Sequence, residues 1–249
     1  MDRGRDVMTT VEAINACIPL NNPELTGQLG SLSEIVHYKK GDCIYDIGDI
    51  QKKVYVLIEG MLRCYFIDES QTEMTDSFMT EKGMVANSVE IFVGKETPSV
   101  VGVEVLNETT VLEIPVQAVF DLMQQYPRMA KLYVRCLHQA LEFQNEINIK
   151  RLYLPGNKRY EWFCKKWPEV DQIASNQQIA SFLGIRSESL SRLRHQKRKH
   201  QLEIIYIVLE TAILIAHGCR FLSKSLGCLF DGFRHPFWYF CVIVCNAYM

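Results

Sequence analysis

Asn176 to His200 reads NQQIASFLGIRSESLSRLRHQKRKH, and its spacing is that of two short helices joined by a glycine turn. Ile179, Phe182 and Leu183 recur at three and four residues, which places them on one helix face, and the small Ala180 lets a second helix approach closely. Gly184 breaks that helix. Ser187, a residue type suited to an N-cap, then opens a second helix whose Leu190 and Leu193 face inward. Helix, glycine turn and helix of these lengths form the motif that lays its second helix in the major groove of double-stranded DNA.

The charge of the stretch agrees with its spacing. Arg186, Arg192, Arg194, Lys197, Arg198 and Lys199 oppose Glu188 alone, a net +5 on a chain whose total is −2. A basic element on an acidic body is the asymmetry expected of a nucleic-acid-binding module. Glu188, Ser189, Ser191, Arg192 and His195 face outward on the second helix. There Arg192 has the fork for guanine O6 and N7, Glu188 can accept from cytosine N4, and Ser187, Ser189 and Ser191 can bond phosphate or base edges. Gln177, Gln178, Arg186 and Lys197 complete the expected DNA-binding set, with Lys197 on phosphate. The competing reading is an ordinary amphipathic hairpin with a solvated charged face.

Upstream the pattern turns strand-like. Between Val36 and Pro115, short apolar or alternating runs (Cys43 to Tyr45, Val54 to Ile58, Leu62 to Ile67, Val100 to Leu106, Thr110 to Ile114) are separated by turns at Gly41, Gly48 and Gly60. That pattern predicts an antiparallel β barrel or roll. With its two Gly-Asp corners and the Glu59-Gly60 turn, YKKGDCIYDIGDIQKKVYVLIEGMLRCYFIDES resembles the cyclic-nucleotide-binding-like β-roll of Crp/Fnr transcription regulators. The resemblance continues through VLEIPVQAVFDLMQQYP, a long helix and the helix-turn-helix, and covers roughly Val36 to Arg194. It implies an α+β chain: an N-terminal β-roll, a long dimerisation helix and a C-terminal, winged-helix-like helix-turn-helix domain. By matching positions, Glu188 and Arg192 fall where family members read base edges, and Ser187 falls where many members carry Arg.

The expected domains are an effector-sensing roll with an N-terminal helical segment (1–126), a connecting and dimerisation helix (127–154), the helix-turn-helix domain (155–200) and an apolar, Cys-rich tail (201–249). In the connecting helix Leu132, Cys136, Ala140, Phe143 and Ile147 are spaced four, four, three and four, with Tyr133, Leu137 and Leu141 widening a stripe able to face both the β-roll and a second copy of itself. The family uses this helix as a parallel dimer seam. Two recognition helices about 34 Å apart then match a pseudo-palindromic site. A helix packed only on its own domain is the alternative, and Leu154-Pro155-Gly156 reads as a hinge.

In cyclic-AMP-binding members a Gly-Glu pair and an Arg about ten residues later grip ribose and phosphate, since an anionic phosphate needs a guanidinium fork. The equivalent positions here, Asn87, Ser88, Glu90, Ser99 and Val100, form the candidate effector pocket. Glu90 matches the ribose-binding acid, but Pro98 or Ser99 stands in place of the Arg and no basic residue lies between Pro98 and Thr110. Cyclic AMP is therefore not the expected effector; a different small molecule or none stays open. Cys17, Cys43 and Cys64 do not cluster as an iron-sulfur ligand set would, and His37 and His138 read as structural rather than haem-ligating. No cofactor or metal is expected. Nor does any Ser/His/Asp spacing or phosphate loop suggest an enzyme.

Nine cysteines without close metal spacing and a charged, non-apolar Met1 to Thr10 fit a reducing cytoplasm. The tail holds four of those cysteines and two apolar runs, Ile204 to Ala216 and Phe237 to Val244, each shorter than the roughly 18 to 20 residues that cross a bilayer. It reads three ways: an added helical layer, a membrane-proximal segment, or sequence from an altered reading frame. The expected function is a homodimeric, sequence-specific transcription regulator, with DNA, a second copy, RNA polymerase and an unidentified effector as partners. The alternative is a membrane-associated sensor whose basic stretch binds anionic lipid.

Overall fold

The computed structural model describes residues 8–87, Ile91 and 97–225, with side chains through Leu209 and at Thr211. The chain divides into two compact units, residues 1–193 and 194–249.

Two helices, α1 (Thr10–Cys17) and α2 (Pro23–Leu32), open the first unit. A capping box between Thr9 and Glu12 starts α1, and Asn22 followed by Pro23 starts α2. Seven strands follow: β1 (Glu34–Tyr38), β2 (Cys43–Tyr45), β3 (Lys53–Glu59), β4 (Leu62–Ile67), β5 (Glu73–Met79), β6 (Gly102–Val105) and β7 (Thr109–Pro115). All pair antiparallel, in a three-stranded sheet of order β1-β7-β3 and a four-stranded sheet of order β2-β6-β4-β5. Ile44, Tyr45, Leu57, Leu62, Val103, Val105 and Val111 fill the space between them. The outer face of β3 and β7 packs Val54, Val56, Leu112 and Ile114 against Ile14, Leu25 and Leu29 of the two opening helices.

The β3–β4 turn depends on Gly60. Its φ is +111°, and a Cβ there would lie 2.2 Å from the Thr109 hydroxyl. β1 and β5 were not among the predicted strands. β5 hides from a hydropathy reading because two of its buried positions are Thr75 and Ser77, each 2% exposed.

Helices α3 (Val116–Gln125) and α4 (Pro127–Tyr153) follow the roll. Next come α5 (Gly156–Lys166), α6 (Val170–Ile173), α7 (Asn176–Leu183) and α8 (Ser187–Ser225). Pro155 separates α4 from α5, yet the segment read as a hinge is braced: Arg159 Nη1 donates to the Arg151 carbonyl at 3.0 Å, and Arg151 Nε donates to the Phe182 carbonyl at 2.8 Å. Met61, Phe78 and Leu106 of the roll share one apolar cluster with Ile147 of α4 and Tyr160, Phe163, Trp167, Phe182 and Leu190 of the later helices. At its centre the Phe78 ring meets Phe163 at 5.7 Å and Phe182 at 5.2 Å, both edge to face.

In the second unit, α8 carries Leu202 and the run Ile204 to Leu209 with every side chain exposed. Six successive residues surround a helix completely, so this stretch is apolar on all sides. No described helix is long and apolar enough to cross a membrane. The second tail run, Phe237 to Val244, lies outside the described residues.

Candidate nucleic-acid interface

The helix pair is built as its spacing predicts, with one change of cap. Ser175 and Gln178 form a reciprocal capping box at the start of α7, and Gly184 ends that helix in the left-handed conformation at φ +61°. The Gly184 and Ile185 N–H groups donate back to Ser181 and Ala180, closing the turn. Leu190 N donates to the Arg186 carbonyl at 3.1 Å, so Arg186 holds the cap position and Ser187 is the first helical residue, not the N-cap. Ile179, Ala180, Phe182, Leu183 and Leu190 are buried, and Leu193 packs on them half-buried.

What is left outside is polar and cationic. Arg186, Glu188, Ser191 and Arg192 are exposed, Ser187 and Ser189 half-exposed, and Arg192 Nη2 lies 3.4 Å from the Ser189 hydroxyl one turn back. His195 and Lys197, in the second unit, are also exposed. Gln177 is exposed at the start of α7. Gln178 is not available: its Nε2 donates to Glu104 at 3.0 Å and its Oε1 accepts from Ser175 N at 2.9 Å.

That bond belongs to a polar clamp between α7 and the roll. Arg63 of β4, its side chain 3% exposed, pairs with Glu104 and with Glu73 and donates Nε to the Thr75 hydroxyl at 2.9 Å. The Ser181 hydroxyl meets Thr75 Oγ1 at 3.1 Å and accepts from Thr75 N at the same distance. Arg151 of α4 also donates to the carbonyls of Thr75 and Asp76, at 3.0 and 2.8 Å, and lies 4.6 Å over the Phe182 ring. Burial pulls the Arg151 guanidinium below its ordinary pKa, while the nearby Asp76 opposes that shift. Sequence reasoning missed Arg63, Glu104 and Arg151, since a single charged residue in a strand or at a helix end carries no signal of its own.

The effector-pocket residues are placed differently from the expectation. Asn87 Oδ1 accepts from Tyr55 N, and Nδ2 donates to Gln51 and to the Lys53 carbonyl, all at 2.8 Å. Ser99, 3% exposed, donates to the Val101 carbonyl at 2.7 Å. Both are committed to holding the chain, and Val100 points to solvent at 62% exposed. Ser88 and Glu90 lie outside the described residues.

On α4, Leu132 packs on the cluster under the first helices, and Phe143 and Ile147 belong with the shared cluster, so three of the five expected seam residues are spent within the chain. Cys136 is half-buried and Ala140 exposed. The free apolar face is Val134, Leu137 and Leu141, spaced three and four, of which Leu137 and Leu141 belong to the expected stripe.

Residues 35–126 match the family model described as the cyclic nucleotide-binding domain. Among curated proteins, the transcriptional activator protein Anr of Pseudomonas protegens is 24% identical over 203 residues, 75% of this chain and 80% of its own length. Among solved structures, the c-di-GMP-responsive global regulator CLP of Xanthomonas campestris superimposes with a TM-score of 0.59 at 14% identity, over 73% of this chain and 94% of its own. A Crp/Fnr-family transcriptional regulator from Eubacterium rectale gives the same TM-score at 17% identity, over 73% of this chain and 84% of its own.

Proposed function

We propose that this chain, a member of the Crp/Fnr family of transcription regulators, reads a two-fold-symmetric DNA site as a homodimer. The observation that carries the reading is the outward face of α8 between Arg186 and Arg192, a polar and cationic surface seated on a fully apolar underside. Arg192 and Glu188 discriminate bases, and Lys197 contacts phosphate. Gln178 is left out of the contact set because both ends of its amide are already bonded. The second copy docks on Val134, Leu137 and Leu141 of α4.

The roll transmits an effector state to the reading helices, in the cytoplasm where DNA and RNA polymerase are met. Cyclic AMP is not that effector: the sequence offers no guanidinium between Pro98 and Thr110, and Ser99 is turned inward. The lipid-binding alternative gains no support from the relatives matched, which are transcription regulators. Selection of random duplex DNA against the wild type and Arg192→Ala, at two salt concentrations, tests the reading. Enrichment of a palindromic site that the variant loses supports it; enrichment indifferent to Arg192 overturns it.

A further inference from the structure

A second charged feature lies far from the reading helix in sequence. A cavity of about 320 Å³ is bounded by Pro19, Leu20 and Asn21, from the loop between α1 and α2, and by Arg128, Lys131, Leu132 and Arg135 of α4. Its three cations stand at intervals of three and four, hence on one helix face, over about 10 Å of helix length. That face is neither the one packed on the core, where Met129 and Ile147 lie, nor the free apolar face of Val134, Leu137 and Leu141.

Among the described residues no carboxylate pairs with Lys131 or Arg135, and the ion pairs lie elsewhere. Glu24, at the start of α2, accepts from the Tyr126 hydroxyl at 3.0 Å. Arg128 is positioned rather than loose: Nη1 donates to the Leu20 and Asn21 carbonyls at 3.1 and 2.6 Å, bracing a loop in which Asn21 has φ +51°. Among the described residues its Nε and Nη2 make no hydrogen bond. The arrangement is unfavourable when empty, because like charges three and four apart repel on a helix and cations near a helix start oppose its dipole.

We propose that this cavity binds a small organic phosphate carrying two or more negative charges. Arg128 and Arg135 supply forks and Lys131 a point charge, the donor set that suits phosphate oxygens. Leu20, buried in the wall, and Leu132 offer an apolar side for the rest of the molecule. The volume is at the lower end of the roughly 300 to 1,000 Å³ found for small-molecule sites. Such a ligand would tie the α1–α2 loop to the first two turns of α4, the helix that also carries the free apolar face.

Calorimetric titration of the full chain with inorganic pyrophosphate at fixed ionic strength tests this, with orthophosphate as the lower-charge arm. Saturable binding of one pyrophosphate per chain is expected, stronger than orthophosphate. Lys131→Gln with Arg135→Gln should weaken it at least roughly tenfold, both side chains being exposed and outside the core. Lys197→Gln with Lys199→Gln, in the DNA-reading stretch, should leave it within about twofold. Absence of saturable binding, equal binding by the first variant, or loss confined to the second variant would each overturn the proposal. DNA binding by the same variants is a separate readout, so failure here leaves the regulator reading standing or falling by its own test.

Discussion

The hydroxyls of Ser181 and Thr75 meet at 3.1 Å although 106 positions separate them in the chain. Ser181 lies on the first helix of the reading pair and Thr75 on β5, so strand and helix are fastened side chain to side chain and again through Thr75 N. Arg63 sits beneath this contact with two carboxylates and the Thr75 hydroxyl around it. Removing a buried cation leaves its partners uncompensated.

Arg63→Ala should therefore lower unfolding stability by about 2 to 3 kcal/mol, less than a fully enclosed pair because Glu73 and Glu104 retain water contact. Urea denaturation of both proteins measures it. A loss under about 0.5 kcal/mol would mean that the clamp is a surface pair of no consequence.

Gly60→Ala and Gly41→Ala separate steric from conformational strain. Both glycines have positive φ, but a Cβ at Gly60 runs into Thr109 whereas one at Gly41 meets open space. The expected losses are about 3 kcal/mol at Gly60 and about 1 kcal/mol at Gly41. Equal midpoints in a thermal melt would contradict the packing drawn for the β3–β4 corner.

On DNA, Lys197→Ala should weaken all sequences alike and reduce the salt slope of log K by about 1, while Arg192→Ala should remove about 1 to 3 kcal/mol of discrimination. Gln178→Ala should leave site preference unchanged, since its amide is consumed by Glu104 and Ser175. Fluorescence anisotropy across a salt series with matched and mismatched sites distinguishes the three.

If the proposed dimer forms on this face, Leu141→Glu should leave the chain a folded monomer, as the residue is 69% exposed on α4 and its replacement disturbs no core contact. Phe143→Ala, packed on the shared cluster, should instead destabilise the chain with little change in association. Sedimentation velocity with circular dichroism resolves the pair; the opposite pattern would put the seam on the Leu132, Cys136, Phe143 stripe.

Glu146 gives a pH signature. Burial pushes its carboxyl up, but hydrogen bonds from Lys166 and Trp162, with the charge of Lys166, outweigh that and hold it below the usual glutamate range. A depressed carboxylate contributes stability above its unfolded pKa and loses it as pH falls through the folded value. Glu146→Gln should therefore cost stability at pH 7, and the difference from wild type should shrink below about pH 4.5. A difference unchanged between pH 7 and pH 3 would remove the ion pair from the account.

The sequence carried most of what depends on periodicity. β2 and β4 have the limits their apolar runs suggest, and α7 ends at Gly184 because only a left-handed residue closes that turn. It did not carry what depends on partners distant in sequence. β5 was invisible because Thr75 and Ser77 are buried against polar groups, and Arg63 reads as an ordinary charge until Glu73 and Glu104 surround it. The α4 stripe shows the limit most plainly: Phe143 and Val134 are equally apolar, and only the surrounding fold decides which faces inward. Asn87 likewise looked available for a ligand until Tyr55, Gln51 and Lys53 claimed it.

Phe78 sits among Phe163, Trp167 and Phe182, so the roll and the helix pair share one interior. Such a chain resists recombination. Grafting its reading helices onto another roll would strand the Phe78 surface against a foreign neighbour, and a lone roll cut at Leu154 would display it to water. The outer residues of α8, exposed and outside this interior, can vary one at a time, but the inner aromatic residues must drift together or not at all.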